Sequence, residues 1–531
     1  MTDFTVLGRK AAELGLRQLG LAPEMRQARR LAADVAASHP PTDGPRVLML
    51  SPRDWAVHTQ WEAVIAQSLR MRGADVRFVT CGGGLEICDR VNTYEGPPMP
   101  CRTCARYTTA ALSAHGFDPD LILPGKAPAD PWPELDAIPL DELPAVKALG
   151  LPFGQLLEIP VRWFLCNSSL DTDPLAGVTY RAMLRSARIV AERLIPLLDQ
   201  HEPDVLVMLN GLFFFEAIAG AIAAARGIRL VTYERGFIHG SLFFAHGQGA
   251  TRYDVSAAWP SARSRELSPA ESDRLDRYLH DRRSGLHSYV QIWPAPEFAS
   301  RMDAPQRAAR RVAIFTNITW DSAAIGLDRG FDHMQDWLDT VLHHLADRSD
   351  VEVIVRVHPA EVRIPGWTTR EPVGPVVARL FDELPSNIAV IDADDALSSY
   401  TIMEGTDVGL VYTSTTGLEM ALAGIPVLTA AVPHYADKGF TESPVGRAEY
   451  LATLDDMIAA PEAHRPDVEL ARRYANLFFF DAPIPQPPVD EPIPGLARLR
   501  NHRAAGLREG EDVGLDRICD GILTGAPFLP T

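Results

Sequence analysis

The sequence lacks three features that would place it in common classes of protein. No uninterrupted apolar run approaches the roughly 20 residues that a membrane-spanning helix needs. The opening residues, MTDFTVLGRKAAELGL, contain no long apolar core before a small-residue cleavage site, so we expect no secretory leader. Positive charge is not in excess: the formal net charge is −18, which argues against a nucleic-acid partner. We therefore expect a cytoplasmic protein, whose cysteines stay reduced unless they bind a metal.

A mildly basic stretch near the start, residues 5–38, is predicted to be helical. A helix lying on a membrane surface is one interpretation, so peripheral membrane contact stays open. A solvated helix face is the other interpretation, because acidic residues are interspersed among the basic ones.

At 531 residues the chain is too long for one core, so two domains with extensions are expected. Apolar strands alternate with helices from RVLMLSP onward and again from RRVAIFTNITWD, which is typical of doubly wound parallel sheets. The predicted fold class is α/β, with two Rossmann-like domains facing a cleft. The predicted parts are an N-terminal helical extension (1–40), an N-terminal domain (41–265) with a cysteine-rich insertion (81–179), a helical linker (266–307), a C-terminal domain (308–482), and a proline-rich strap with closing helices (483–531).

The segment VEVIVRVHPAE places Arg356 and His358 on the same side of a strand and near its carboxyl end. A guanidinium and an imidazole aimed into a cleft would suit a diphosphate or a sugar carboxylate. The alternative is an ion pair between Arg356 and Glu361 beside a packed histidine.

A hydroxyl-rich turn follows another predicted strand in VYTSTTGLEM, with Ser414, Thr415 and Thr416 before Gly417. Amides at a helix start, hydroxyl donors and a glycine that permits close backbone approach make a phosphate site. The alternative is a helix cap, because Thr416 and Glu419 have the T-x-x-E spacing of a capping box. The two interpretations are compatible, and Glu419 is also a candidate ligand of ribose hydroxyls.

RVHPAE, followed some fifty residues later by YTSTTGLEMALAGIPVLTAAVPHYADKGFT, resembles the bacterial capsule polysaccharide biosynthesis family, which includes Kdo transferases. The resemblance covers mainly residues 312–452, and it implies a GT-B glycosyltransferase whose C-terminal domain holds a nucleotide sugar. The chain has Thr-Thr where many relatives have Ser-Ser or Ser-Val. We assign residues to the donor site from this resemblance or from their position beside its motifs. They are Asn317, Arg356, His358, Glu361, Ser414, Thr415, Thr416, Gly417, Glu419, Tyr435 and Lys438, with Gly439 in the closing turn.

Transfer needs a base for the acceptor hydroxyl, and the N-terminal domain is expected to supply it. Asp54 and His58 are four residues apart, so they share a face if a helix begins there, and a carboxylate can orient an imidazole. The alternative makes Asp54 an N-cap and His58 a surface residue. Glu234 is a rival base, and Asn210 and Arg235, which also follow predicted strands, are candidate acceptor contacts.

Four of the six cysteines fall close together, at Cys81, Cys88, Cys101 and Cys104. Clustered thiols that end in C-x-x-C indicate a metal site in a reduced compartment. Structural zinc and an iron–sulfur cluster both remain open, as do four unrelated thiols.

The function predicted is transfer of a sugar from a nucleotide-sugar donor to a glycan or small-molecule acceptor. No divalent ion is expected to be essential, because amides and cations would hold the phosphate. The alternatives are a CDP-glycerol-type polyol-phosphate transferase, a sugar-nucleotide epimerase, and a non-catalytic scaffold that carries the cysteine-bound metal.

Overall fold

The computed structural model describes residues 3–40, 42–125, 132–284, 310–322, 324–364, 366–500 and 503–529. The strands, in chain order, are β1 (Arg46–Leu50), β2 (Asp75–Thr80), β3 (Asp120–Leu121), β4 (Val205–Leu209), β5 (Arg229–Arg235), β6 (Ser241–His246), β7 (Arg310–Phe315), β8 (Val351–Arg356), β9 (Ile388–Ile391), β10 (Val408–Val411), β11 (Val427–Thr429), β12 (Ile484–Pro485), β13 (Val489–Ile493) and β14 (Leu496–Leu499).

The helices alternate with these strands. In chain order they are α1 (Asp3–Gln18), α2 (Pro23–Ala37), α3 (Ala56–Met71), α4 (Cys101–Ala114), α5 (Phe153–Leu165), α6 (Ala176–His201), α7 (Phe214–Ala225), α8 (Trp259–Ser264), α9 (Pro269–Arg283), α10 (Met334–Leu345), α11 (Ala360–Arg363), α12 (Val373–Ala378), α13 (Ser399–Met403), α14 (Thr416–Leu422), α15 (Arg447–Ala459), α16 (Val468–Asn476) and α17 (Val513–Thr524). Among the described helices, none is both long and apolar enough to cross a bilayer.

The chain divides into two compact units, which are described separately. The first comprises the described parts of Met1–Phe164, Pro174–Thr251 and Pro483–Pro530. The second comprises the described parts of Leu165–Asp173 and Arg252–Ala482. Helix α9, which lies in the predicted linker, belongs to the second unit, and residues 285–307 of that linker lie outside the described residues.

The first unit is built on a sheet with the strand order β12-β6-β5-β4-β1-β2-β3. Its strands from β5 to β3 are parallel, and β6 and β12 join antiparallel at one edge. Central strands such as VLVML of β4 are apolar throughout because helices cover both faces of the sheet. Val47, Val64, Val207 and Ile518 belong to the resulting core.

The second unit is built on a fully parallel sheet with the order β11-β10-β7-β8-β9. Its core joins strand residues such as Ile314 and Leu410 to Trp337 of α10. Two α/β units on predominantly parallel sheets confirm the predicted fold class.

Candidate functional site

The strand order of the second unit fixes where its ligands would bind. The chain enters at β7, adds β8 and β9 on one side, and then adds β10 and β11 on the other. Such a reversal opens a crevice outside the carboxyl ends of the two strands at the switch, here β7 and β10. Asn317 follows β7, Thr413 follows β10, and the Asn317 Oδ1 atom accepts a hydrogen bond from the Thr413 amide at 3.1 Å. The two turns at the switch point are therefore joined.

The turn after β10 presents several hydroxyl groups. The side chains of Thr415 and Thr416 are half-buried, and their hydroxyls have no hydrogen-bond partner among the described residues. The Thr413 Oγ1 atom is buried and also lacks a partner within the described part of the chain. Ser414 differs, because its Oγ atom accepts a hydrogen bond from the Thr416 amide at 3.3 Å. Sequence reasoning missed Thr413, although it belongs to the same quoted run of hydroxylated residues.

The predicted capping box does not form. Helix α14 has Thr415 as its N-cap, and no side chain caps it. The Glu419 carboxylate instead accepts a hydrogen bond from Arg282 Nε at 2.7 Å. This ion pair, between the buried Glu419 and the half-buried Arg282, ties α14 to α9. The Arg282 guanidinium is preferred to a backbone amide as the partner of Glu419 because it adds the attraction between two opposite charges.

Gly417 is required by a protein contact. A Cβ atom there would lie 2.1 Å from the Tyr435 hydroxyl oxygen. Tyr435 is fully buried, and its hydroxyl donates to the Ser414 carbonyl at 2.5 Å. Tyr435 thus fixes the turn through a hydrogen bond to its main chain. Lys438, predicted to close the site, donates from Nζ to Ser256 Oγ at 2.9 Å.

His358 lies at the carboxyl end of β8, half-buried, with its amide bonded to Thr316 Oγ1 at 3.0 Å. Its Nδ1 atom accepts a hydrogen bond from the Ala360 amide at 3.1 Å. Burial, and then the charge of Arg356, lower the pKa of His358 to about 4. The ring is therefore neutral at pH 7 and carries its proton on Nε2, which makes Nε2 a hydrogen-bond donor.

Arg356 is the last residue of β8, and His358 follows it by two residues. The Arg356 guanidinium is buried, and its Nη1 atom donates to the Asp392 carbonyl at 2.6 Å. Arg356 therefore holds the loop after β9.

The alternative ion pair between Arg356 and Glu361 is absent. The Glu361 carboxylate is fully buried and accepts a hydrogen bond from the Val373 amide at 3.2 Å. Burial is the main cause that raises the pKa of Glu361 to about 8, and the nearby Asp392 adds to the effect.

Replacing Glu361 by glutamine should flatten the pH dependence of stability. The folded-state pKa lies above the unfolded value of 4.5, so the contribution of protonated Glu361 is full below 4.5 and is lost as the pH rises through about 8. The wild-type free energy of unfolding should therefore fall over this window by on the order of 1–3 kcal/mol more than that of Glu361→Gln. Urea titrations at several pH values measure this difference. The exposed Glu383→Gln variant is the control, and equal pH slopes for Glu361→Gln and wild type would contradict the expectation.

The first unit contains a cavity of about 360 Å³ beside the carboxyl ends of its strands. Four cations and two carboxylates line it, and three of the cations are paired with carboxylates, Arg17 with the buried Glu24. These residues are Lys10, Arg17, Arg90, Arg235, Asp54 and Glu491, and His58 lies among them. Lys10 has no ion-pair partner among the residues that the structure describes. A cavity of this size and charge suits a small anionic ligand.

Asp54 lines the cavity but does not share a helix face with His58. Helix α3 begins at Ala56 with Trp55 as its N-cap, so both the shared face and the N-cap alternative for Asp54 are wrong. The Asp54 carboxylate pairs with Arg90, with an Nη2–Oδ2 distance of 3.1 Å.

His58 is linked to the Glu62 carboxylate through the Tyr233 hydroxyl. Its Nε2 atom accepts a hydrogen bond from Arg235 Nε at 3.3 Å, so Nδ1 carries the proton and donates to the Tyr233 hydroxyl at 3.2 Å. The Tyr233 hydroxyl donates in turn to Glu62 at 2.7 Å. Burial, followed by the charges of Arg235 and Arg53, holds the pKa of His58 well below its usual range. The ring is therefore neutral, with an oriented Nε2 lone pair.

The remaining first-unit candidates bond to one another. The Asn210 side chain donates to Glu234 Oε2 at 3.1 Å, and the Arg235 amide donates to Glu234 Oε1 at 2.7 Å. Arg235 also pairs with Glu491 at 3.0 Å. Asp54, His58 and Arg235 meet at the cavity, whereas Glu234 is engaged by its neighbours.

The four clustered cysteines line a second, smaller cavity in the first unit. Burial raises the pKa values of Cys81 and Cys104 to about 12. Within the described ranges, no group of three or more His, Cys, Asp or Glu side chains is arranged to hold a metal ion. The predicted metal site therefore gains no support from single-ion geometry. Cys166 and Cys519 are buried outside this cavity.

No protein-family model matches the chain, and no curated protein matches it in sequence. Among solved structures, it is similar to the beta Kdo 2,7 transferase of Thermosulfurimonas dismutans KpsC, with 15% identity, a TM-score of 0.32, and coverage of 58% of this chain and 85% of that chain. The beta Kdo 2,4 transferase of the same KpsC gives 16% identity, a TM-score of 0.33, and coverage of 51% and 78%.

A UDP-GlcNAc 2-epimerase from Neisseria meningitidis, solved with UDP-GlcNAc bound, gives 11% identity, a TM-score of 0.29, and coverage of 81% of this chain and 97% of that chain. At these identities and TM-scores the likeness does not extend to function. The assignment of the fold rests on the strand order and register of this chain.

Proposed function

We propose that this chain is a GT-B-type glycosyltransferase whose second unit binds a nucleotide-sugar donor and whose first unit binds the acceptor. The observation that carries the proposal is the turn of residues 413–416, which follows β10 at the switch point and presents unpartnered hydroxyls. The resemblance of RVHPAE and YTSTTGLEM to the capsule polysaccharide family supports the same interpretation.

The donor's phosphates would be held by neutral hydrogen-bond donors. The hydroxyls of Thr415 and Thr416 can donate, and His358 offers Nε2–H because its Nδ1 atom is occupied by the Ala360 amide. Asn317 fixes the turn through its bond to Thr413. Hydrogen bonds to a charged phosphate are stronger than those between neutral groups, so a few of them suffice for binding.

The acceptor would occupy the cavity of the first unit, where the Lys10 ammonium favours an acceptor that carries a carboxylate or phosphate. In the proposed reaction an acceptor hydroxyl replaces Arg235 Nε at His58 Nε2. The hydroxyl oxygen bonds to the anomeric carbon, and its proton passes to Nε2. The bond between the anomeric carbon and the phosphate oxygen breaks, and the nucleotide leaves with the electron pair. Tyr233 and Glu62 hold the ring in the required tautomer.

A nucleotide-binding experiment tests the donor half of this proposal. Wild-type protein should bind one of CMP, CDP, UDP, GDP, dTDP or ADP in a thermal-shift screen, because a ligand specific for the folded state raises its melting temperature. The double variant Thr415→Val/Thr416→Val should bind that nucleotide at least about tenfold more weakly, since it loses hydrogen bonds to a charged group. Thr406→Val is the matched control, because Thr406 precedes the same strand at its opposite end. Equal affinity of the double variant and wild type would contradict the proposed phosphate site.

A further inference from the structure

Four cysteines from three segments of the first unit converge on one small cavity. Cys81 directly follows β2, Cys88 lies in the loop beyond it, and Cys101 and Cys104 occupy the first turn of α4. None of them pairs as a disulfide. A glycine in the loop after Cys81 lets the main chain come close to Cys101. Gly83 has a φ of +90°, and a Cβ atom there would lie 3.1 Å from the Cys101 Cβ atom.

A main-chain amide also points at one of these sulfur atoms, because the Gly83 amide donates a hydrogen bond to Cys81 Sγ at 3.3 Å. Amide hydrogen bonds to sulfur are a recurring feature of iron–sulfur sites, where they stabilise the negative charge of the ligating thiolates.

We propose that Cys81, Cys88, Cys101 and Cys104 ligate an iron–sulfur cluster. Among the described residues, no side chains are arranged to bind a single metal ion. An iron–sulfur cluster does not require that arrangement. Several irons and bridging sulfides lie between the cysteine sulfurs of a cluster, so its ligands stand farther apart than those around one zinc ion. On binding, each of the four thiols releases its proton to solvent, and the thiolate sulfur bonds to iron. The role is structural, because glycosyl transfer includes no redox step.

The cluster would also stabilise the wall that its cavity shares with the neighbouring acceptor cavity. Arg90 lines both cavities, and its partner Asp54 lines the first of them. This part of the inference concerns the first unit alone, so its failure would leave nucleotide binding in the second unit untouched.

The test is metal and sulfide analysis of the full chain, purified without oxygen and, separately, reconstituted without oxygen with ferric iron, ferrous iron and sulfide. Wild-type protein should contain iron and acid-labile sulfide in equal amounts, and it should show the broad visible absorption of sulfide-to-iron charge transfer. Cys104→Ala and Cys81→Ala should lose both. Cys519→Ala, a buried thiol elsewhere in the same unit, should retain both.

Two results would overturn the inference. One is stoichiometric zinc without sulfide or visible absorption, and the other is a folded wild-type protein that takes up neither iron nor sulfide on reconstitution. Since both are measured on the wild type, a cysteine variant that fails to fold does not decide the outcome.

Discussion

Replacement of His58 by alanine should lower kcat by about 10²- to 10⁴-fold, the range expected for loss of a general base. The physical reason is the oriented Nε2 lone pair, which the chain through Tyr233 to Glu62 holds toward the cavity. The nucleotide dissociation constant should be unchanged, because the phosphate site lies in the other unit. Initial rates of nucleotide release at saturating donor and acceptor, with nucleotide binding measured in parallel, check both statements.

Three further variants make the result specific. His343→Ala, at an exposed histidine of the second unit, should leave kcat unchanged. Glu62→Gln and Tyr233→Phe should shift the pH profile of kcat/KM, which a merely structural role would not do. Full activity of a folded His58→Ala protein would remove His58 as the base and leave Asp54 and Glu234 as the candidates.

Replacement of Arg53 by methionine should lower the free energy of unfolding by about 3–5 kcal/mol, because it leaves buried carboxylates without their cation. The Arg53 guanidinium is 4% exposed and donates to Asp89 at 3.2 Å and to Glu216 at 2.6 Å. Asp89 also accepts from the Phe214 amide at 2.7 Å, so the network joins the loop after β1 to the start of α7. Urea unfolding followed by circular dichroism measures the loss.

The matched control is Arg226→Met. Arg226 pairs with Asp199 at 2.8 Å on the surface, where screening by water leaves such an ion pair little effect on stability. A loss from Arg53→Met no larger than that from Arg226→Met would show that the buried network does not stabilise the first unit.

The fold class could be predicted from the sequence because strands buried on both faces appear as continuous apolar runs. RVLML and VLVML are examples, and each is followed by a helix. Short or irregular edge strands carry no such pattern. β3 has only two residues and β12 lies within a proline-rich stretch, and both depend on a neighbouring strand for their hydrogen bonds.

The sequence predicted where the candidate site residues lie better than it predicted which groups they hydrogen-bond. Asn317, His358 and the turn of residues 413–416 follow strands, so their meeting at one edge of the sheet follows from topology. Hydrogen-bond partners that we predicted from closeness in the sequence were wrong where a group distant in the sequence bonds the same side chain. Glu419 bonds Arg282 instead of the adjacent helix start, and Asp54 bonds Arg90 instead of capping α3.

One omission could have been avoided. Glu62 lies four residues after His58 on α3, which is the spacing that places two side chains on the same helix face. Tyr233, which bridges them, could not have been found in this way because it lies on β5.

The most direct test of the proposed function is product analysis by mass spectrometry. Purified protein is incubated with nucleotide sugars, chosen by the nucleotide that binds, and with acceptors that differ only in carrying or lacking a carboxylate or phosphate. We predict a new glycoside on the anionic acceptor and release of one nucleotide for each bond formed, with both lost in His58→Ala. Isomerised nucleotide sugar without acceptor addition, or a bound nucleotide sugar that stays intact with every acceptor, would contradict the assignment as a glycosyltransferase.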